Sequence, residues 1–98
     1  MSGTVPDVGG GLLREPLPMP SFLLHHHHAP GECRAAFAAW KGFDSPLRQH
    51  AVLCSCRSGG HRLWFVVTAG TAGDALHQLP GYVAARTEAI DVAEVTIP

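Results

Sequence analysis

Hydrophobic and polar positions change period several times along this chain, and the changes divide it into elements. Residues 21–28, SFLLHHHH, begin with three apolar residues in a row, as in a strand covered on both faces. Pro30 suits the first turn of a helix, and Cys33, Ala36, Phe37 and Trp40 follow at i, i+3, i+4 and i+7, which predicts a helix over 30–41. Gly42 suits the residue after its end, and Pro46 cannot continue it. HAVLCSC, residues 50–56, reads as a second strand. RSGG supplies a turn, and HRLWFVVTA, residues 61–69, reads as a third strand that pairs with the second as a hairpin. Thr71 caps a second helix with Asp74 three residues on, and Ala72, Ala75, Leu76 and Leu79 form its stripe. Pro80-Gly81 interrupts that stripe, and YVAAR at 82–86 adds a last turn. EAIDVAEVTIP closes the chain as a fourth strand.

The order is β-α-β-β-α-β, the split βαβ signature of ferredoxin-like domains. The fold class expected is α+β, a four-stranded antiparallel sheet with two helices on one face, over residues 21–98. Residues 1–20 hold GGG and PLPMP and read as a flexible Gly/Pro-rich leader, or as an arm across a partner that docks Leu12 and Leu13. Leu63, Phe65 and Val67 alternate with Trp64, Val66 and Thr68, so both sheet faces are apolar and the face without helices needs a cover. A homodimer packed sheet to sheet supplies one.

Composition sharpens this picture. Hydrophobic residues are 46% and charged residues 15%, a low charge content that favours a partner subunit over an isolated monomer. The net charge is −1 and no basic cluster exists, which speaks against nucleic acid. No apolar run reaches the length of about 18 residues needed for a membrane span. Three cysteines, without a signal-peptide pattern, fit a reducing, cytoplasmic setting.

The candidate chemistry centres on His25, His26, His27 and His28. A strand alternates its side chains, so these split into two pairs. Phe22 and Leu24 share parity with His26 and His28 and are expected to face the helices. His25 and His27, with Leu23, then face the dimer cavity. Imidazoles at i and i+2 stand roughly 6.5–7 Å apart at the backbone and can converge on one transition metal, Ni, Cu or Zn. A dimer axis or other strands supply further ligands. Cys54 and Cys56 are soft donors that can help, although a C-x-C pair on a strand is equally at home as buried packing. Cys33, within the helical stripe, reads as core. Trp64 on the third strand and Tyr82 at the helix interruption are candidates to line a ligand cavity. A histidine can also shuttle protons near neutral pH, or serve only as the polar end of a strand.

On this layout the chain resembles the dimeric α/β-barrel superfamily of small monooxygenases, isomerases, cyclases and stress proteins. FLLHHHH in the first strand and EVTIP at the end also give it a loose resemblance to short bacterial nickel-binding ferredoxin-like homodimers. In that likeness His27, with His25 beside it, occupies the position of a strand-one histidine, although a run of four departs from the single histidine of that pattern. The resemblances imply two functions. One is a small homodimeric metal-binding protein, with metal-assisted chemistry open to it. The other is a metal-free enzyme of specialised metabolism that acts on a hydrophobic small molecule, with His as acid and base and with Trp64 and Tyr82 as positioning groups. A third possibility is an accessory binding protein without chemistry.

Overall fold

A computed structural model of the chain describes residues 19–98; the leader expected over 1–20 therefore lies almost wholly outside the described residues. Four strands form one antiparallel sheet: β1 (Ser21–His27), β2 (Leu53–Cys54), β3 (Arg62–Thr68) and β4 (Thr87–Val92). Their order across the sheet is β2-β3-β1-β4. Three short helices complete an α+β architecture: α1 (Cys33–Ala38), α2 (Ala72–Leu76) and α3 (Gly81–Ala84). Among the described residues no helix is long and apolar enough to cross a membrane.

β1 is central, hydrogen-bonded to β3 on one side and β4 on the other, with Leu24 opposite both Phe65 and Ala89. Its side chains alternate as the pleat requires. Phe22, Leu24 and His26 are buried, while Ser21, Leu23 and His25 are half-buried. Phe22 and Leu24 meet Leu63, Phe65 and Val67 of β3, Ala75 of α2, Val83 of α3 and Leu79 between those two helices in one core. Complete burial of a Leu or Phe side chain stabilises the fold by about 1.5–3 kcal/mol each, so this face holds the domain together.

The expected helix over 30–41 is a 3₁₀ turn at Pro30–Glu32 that leads into the short α1. Its stripe is only partly used. Ala36 is buried and Trp40 packs on the core, but Phe37 is half exposed. α1 ends at Ala38, short of the expected 41, and Gly42 with its left-handed φ of 73° closes the turns that follow. The second strand is much shorter than the expected 50–56 and pairs only Leu53 with Trp64 and Cys54 with Leu63. Beyond Cys54 the chain curls into a 3₁₀ turn, Cys56–Ser58, in place of a continued strand. The cap on α2 is as the sequence predicts: the Asp74 backbone N–H donates to Thr71 Oγ1 at 3.1 Å.

Among the described residues no helix covers the opposite sheet face. Val66 is 70% exposed and Leu53 73% exposed, with Ile90 and half-buried Leu23 and Trp64 beside them. The segment 46–53 folds along the β3 edge and leaves an open cleft of about 890 Å³ lined by Leu23, Leu47, His50, Leu53, Trp64 and Val66 among others.

Candidate metal centre

The pleat separates the four histidines. His26 and His28 point to the helix-covered side and are 0% and 2% exposed. His25 lies on the opposite face and His27, at the strand end, is exposed. The assignment of parity from Phe22 and Leu24 thus describes β1 correctly, and His26 and His28 sit deepest.

His28 is brought into a cluster by the register of β1 and β3. His27 pairs with Arg62, and one residue further the His28 backbone N–H donates to the His61 carbonyl at 3.1 Å. The two histidines therefore face one another across the end of the sheet, with ring centroids 5.6 Å apart. Cys33, the first residue of α1, and Cys56, the first of the 3₁₀ turn after β2, close the group. One ligand atom from each of His28, Cys33, Cys56 and His61 lies within 4.8 Å of all the others. The Cys33 Sγ is 3.3 Å from His28 Nε2 and 3.1 Å from His61 Nδ1, and the Cys56 Sγ is 3.5 Å from His28 Nε2.

Backbone geometry holds the contributors in place. Residues 55–62 form a closed loop in which the Ser55 N–H donates to the Arg62 carbonyl at 2.9 Å and the Gly60 N–H to the Ser55 carbonyl at 2.9 Å. A Cβ on Gly60 would collide with the Ser55 side chain, so the loop requires glycine there. His61 follows with a φ of 54°, a left-handed conformation that few side chains adopt. That local strain aims His61 back over the sheet end, and strain of this kind concentrates at functional sites.

On the other side of the cluster, Glu32 accepts from the Ala29 N–H at 2.9 Å and pairs with Arg86 through both carboxylate oxygens, at 3.3 and 3.2 Å. These contacts, the Ala29 hydrogen bond foremost and then Arg86, hold the Glu32 pKa down to about 2. Arg86 also stacks on Tyr82, 3.7 Å from the ring centroid, and donates to the Tyr82 carbonyl at 3.0 Å. Tyr82 is thus part of a brace beside Cys33 and is not among the residues that line the cleft with Trp64.

Behind His28 stands His26. The His26 Nε2 is 2.9 Å from His28 Nδ1, and the His26 Nδ1 faces both Val83 O at 3.2 Å and Thr87 Oγ1 at 3.1 Å. Burial lowers the pKa of both rings below the ordinary histidine value, with nearby positive groups acting in the same direction. Burial also pushes the Cys56 thiol up to about 12, with Cys54 and Cys33 adding to the effect. In the absence of an ion the thiol therefore keeps its proton.

Two imidazoles and two thiols whose ligand atoms lie within 4.8 Å of one another could hold a transition metal. The donor set suits the chemistry, since tetrahedral S₂N₂ surroundings are those that zinc favours. Zn–N bonds near 2.05 Å and Zn–S bonds near 2.3 Å imply tetrahedral N···S edges of about 3.6 Å. The three contacts above fall inside that edge and the remaining ligand-atom pairs lie within 4.8 Å, separations that bracket it. His25 and His27 are not part of the group; His25 stacks on Trp64, accepts from Arg62 Nη1 at its Nε2 at 2.7 Å and faces Glu88 Oε1 at 3.1 Å through Nδ1. Cys54 is exposed, and the Cys56 N–H donates to its sulfur at 3.3 Å.

Sequence reasoning missed Cys33 and His61 as donors. A signal was present: His28 and Cys33 are five apart, and so are Cys56 and His61, one His and one Cys flanking each of two turns. Comparison of the chain with protein-family models, curated proteins and solved structures returns no match.

Proposed function

We propose that this protein is a small zinc-type metal-binding protein whose centre is His28, Cys33, Cys56 and His61. The observation that carries the reading is the convergence of four donor atoms from four separate segments. Ordinary hydrogen bonding explains it less well. The Cys33 thiol can donate to one ring nitrogen and accept from the other, but His28 Nε2 has one hydrogen-bonding site and faces two sulfurs. A cation at the centre satisfies all four together. Four protein ligands make a closed centre, which supports a structural or carrier role over metal-assisted catalysis.

The strand order β2-β3-β1-β4 supports the ferredoxin-like reading, and exposed Val66 and Leu53 support a homodimer packed through the uncovered sheet face. Soft donors favour zinc or copper over nickel here.

The test is a titration of purified, tag-free protein with Zn²⁺ against a chromophoric chelator, with Co²⁺ as a spectroscopic substitute. One ion per chain, with cobalt bands of tetrahedral thiolate character that vanish in Cys33→Ser, supports the reading. Loose binding of several ions that survives Cys33→Ser sinks it, since surface histidines such as His27 alone would give that result.

A second reading draws on the cleft beneath Trp64, whose lining is largely apolar. It is a dimeric α/β-barrel enzyme acting on a hydrophobic molecule, with His25 held between Glu88 and Arg62 as its proton-transfer group. Saturable quenching of tryptophan fluorescence by such a molecule, abolished in Trp64→Phe, would favour this reading.

A further inference from the structure

The hydrogen-bond chain behind the centre fixes where its protons lie. Thr87 Oγ1 donates its single hydrogen to the Val83 carbonyl at 2.6 Å. The Thr87 oxygen is then free only to accept, and the Val83 carbonyl can only accept. Both face His26 Nδ1, so that nitrogen must carry a hydrogen. Between His26 Nε2 and His28 Nδ1, 2.9 Å apart, there is room for one hydrogen. If His26 held it, the ring would be a cation with no exposed surface and, among the described residues, no carboxylate hydrogen-bonded to it, at a high desolvation cost. The hydrogen therefore belongs to His28 Nδ1. A neutral His28 then presents a bare lone pair at Nε2, the atom that faces Cys33 and Cys56.

We infer that His26 is the positioning residue of the centre: with Thr87 and Val83 behind it, it locks His28 into the Nδ1–H tautomer and aims the Nε2 lone pair at the site the ion would take. The inference rests on reading His28, Cys33, Cys56 and His61 as a metal centre. His26 touches no ion itself. It acts as an outer partner that orients a ligand and raises its basicity, a role more often filled by a carboxylate or a carbonyl. The same chain joins the centre to the α3–β4 corner, because Val83 and Thr87 lie on either side of that junction.

Two measurements test it. Long-range ¹H–¹⁵N spectra of the metal-free protein read each tautomer directly. The inference expects a hydrogen on Nδ1 and none on Nε2 in both His26 and His28; a hydrogen on His28 Nε2 overturns it. Zn²⁺ competition titrations then compare wild type with His26→Leu, which removes the acceptor inside an already apolar surround of Ala36, Trp40, Leu63 and Val83. Loss of about 10–100-fold in affinity is expected. Thr87→Val, a gentler change that leaves the Val83 carbonyl as acceptor, should give a smaller loss in the same direction and guards against a folding defect in His26→Leu. Wild-type affinity in both variants overturns the positioning role while leaving the metal centre intact. Failure of the wild type to bind Zn²⁺ at all overturns the metal reading, and the positioning role falls with it.

Discussion

His25 and His26 are neighbours in sequence and have almost nothing in common in space. His26 is fully buried, bonded on both sides to a polar chain that ends at two thiols. His25 lies half-buried on an apolar sheet face, flat against Trp64 and clasped by Arg62 and Glu88. The pleat alone produces the difference, since one residue of shift along β1 reverses the face. A run of four identical side chains is thus split between two surroundings, and its meaning depends on which of them meets the chemistry-bearing residues of other segments.

The largest expected effect separates the two surroundings outright. Replacing His28 or Cys33 by Ala should lower Zn²⁺ affinity by more than the roughly 100-fold upper end for outer partners, whereas His25→Ala should leave it unchanged. Competition titration of the three variants decides it, and an equal loss in His25→Ala would move the centre to the other face.

Next in size is the stability that an ion confers. Zn²⁺ in 1,000-fold excess over its Kd should raise the unfolding free energy by about 4 kcal/mol, an effect reversed by a chelator. Thermal or urea unfolding measures this, and it should be absent in Cys56→Ala.

Acid sharpens the contrast in the metal-free protein. Burial holds the His26 and His28 pKa values below the ordinary 6.5. The unfolded chain binds protons at these rings as pH falls through 6.5 while the folded chain resists them. Their contribution is complete above that pH and is lost progressively below it, until the folded rings also protonate. Urea midpoints should therefore decline from pH 7.5 to 5.5, and His26→Leu should flatten part of that decline. The Glu32 contribution enters lower still. With its pKa held at about 2 against an ordinary 4.5, it is present above 4.5 and fades as pH falls toward 2.

The smallest effect belongs to the other face. The His25–Glu88 pair has one partner 67% exposed, so Glu88→Gln should change stability by no more than about 1 kcal/mol.

Much of the frame is legible in the sequence. Phe22 and Leu24 fix which histidines turn inward, and the Thr71 cap marks the start of α2 by local chemistry alone. The site is not legible in the same way. Cys33 obeys the spacing of a core stripe, so periodicity assigns it to packing. Yet at the first position of α1 it sits beside the sheet end, where His28 and His61 arrive by cross-strand register. The short β2 was similarly hidden, because HAVLCSC has strand composition and only tertiary pairing limits it to two residues. Local propensity reads elements, whereas a centre drawn from four segments depends on how those elements dock.

Cys33 and Cys56 bracket the long excursion through residues 39–52, which returns to the sheet through the two pairs of β2. An ion held by both would act as a clip that tethers this excursion to the sheet end in the folded chain. Stripping the ion should then first expose this excursion to protease while β1, β3 and β4 stay zipped. The centre would thus govern how firmly the wall of the Trp64 cleft is fastened to the rest of the domain.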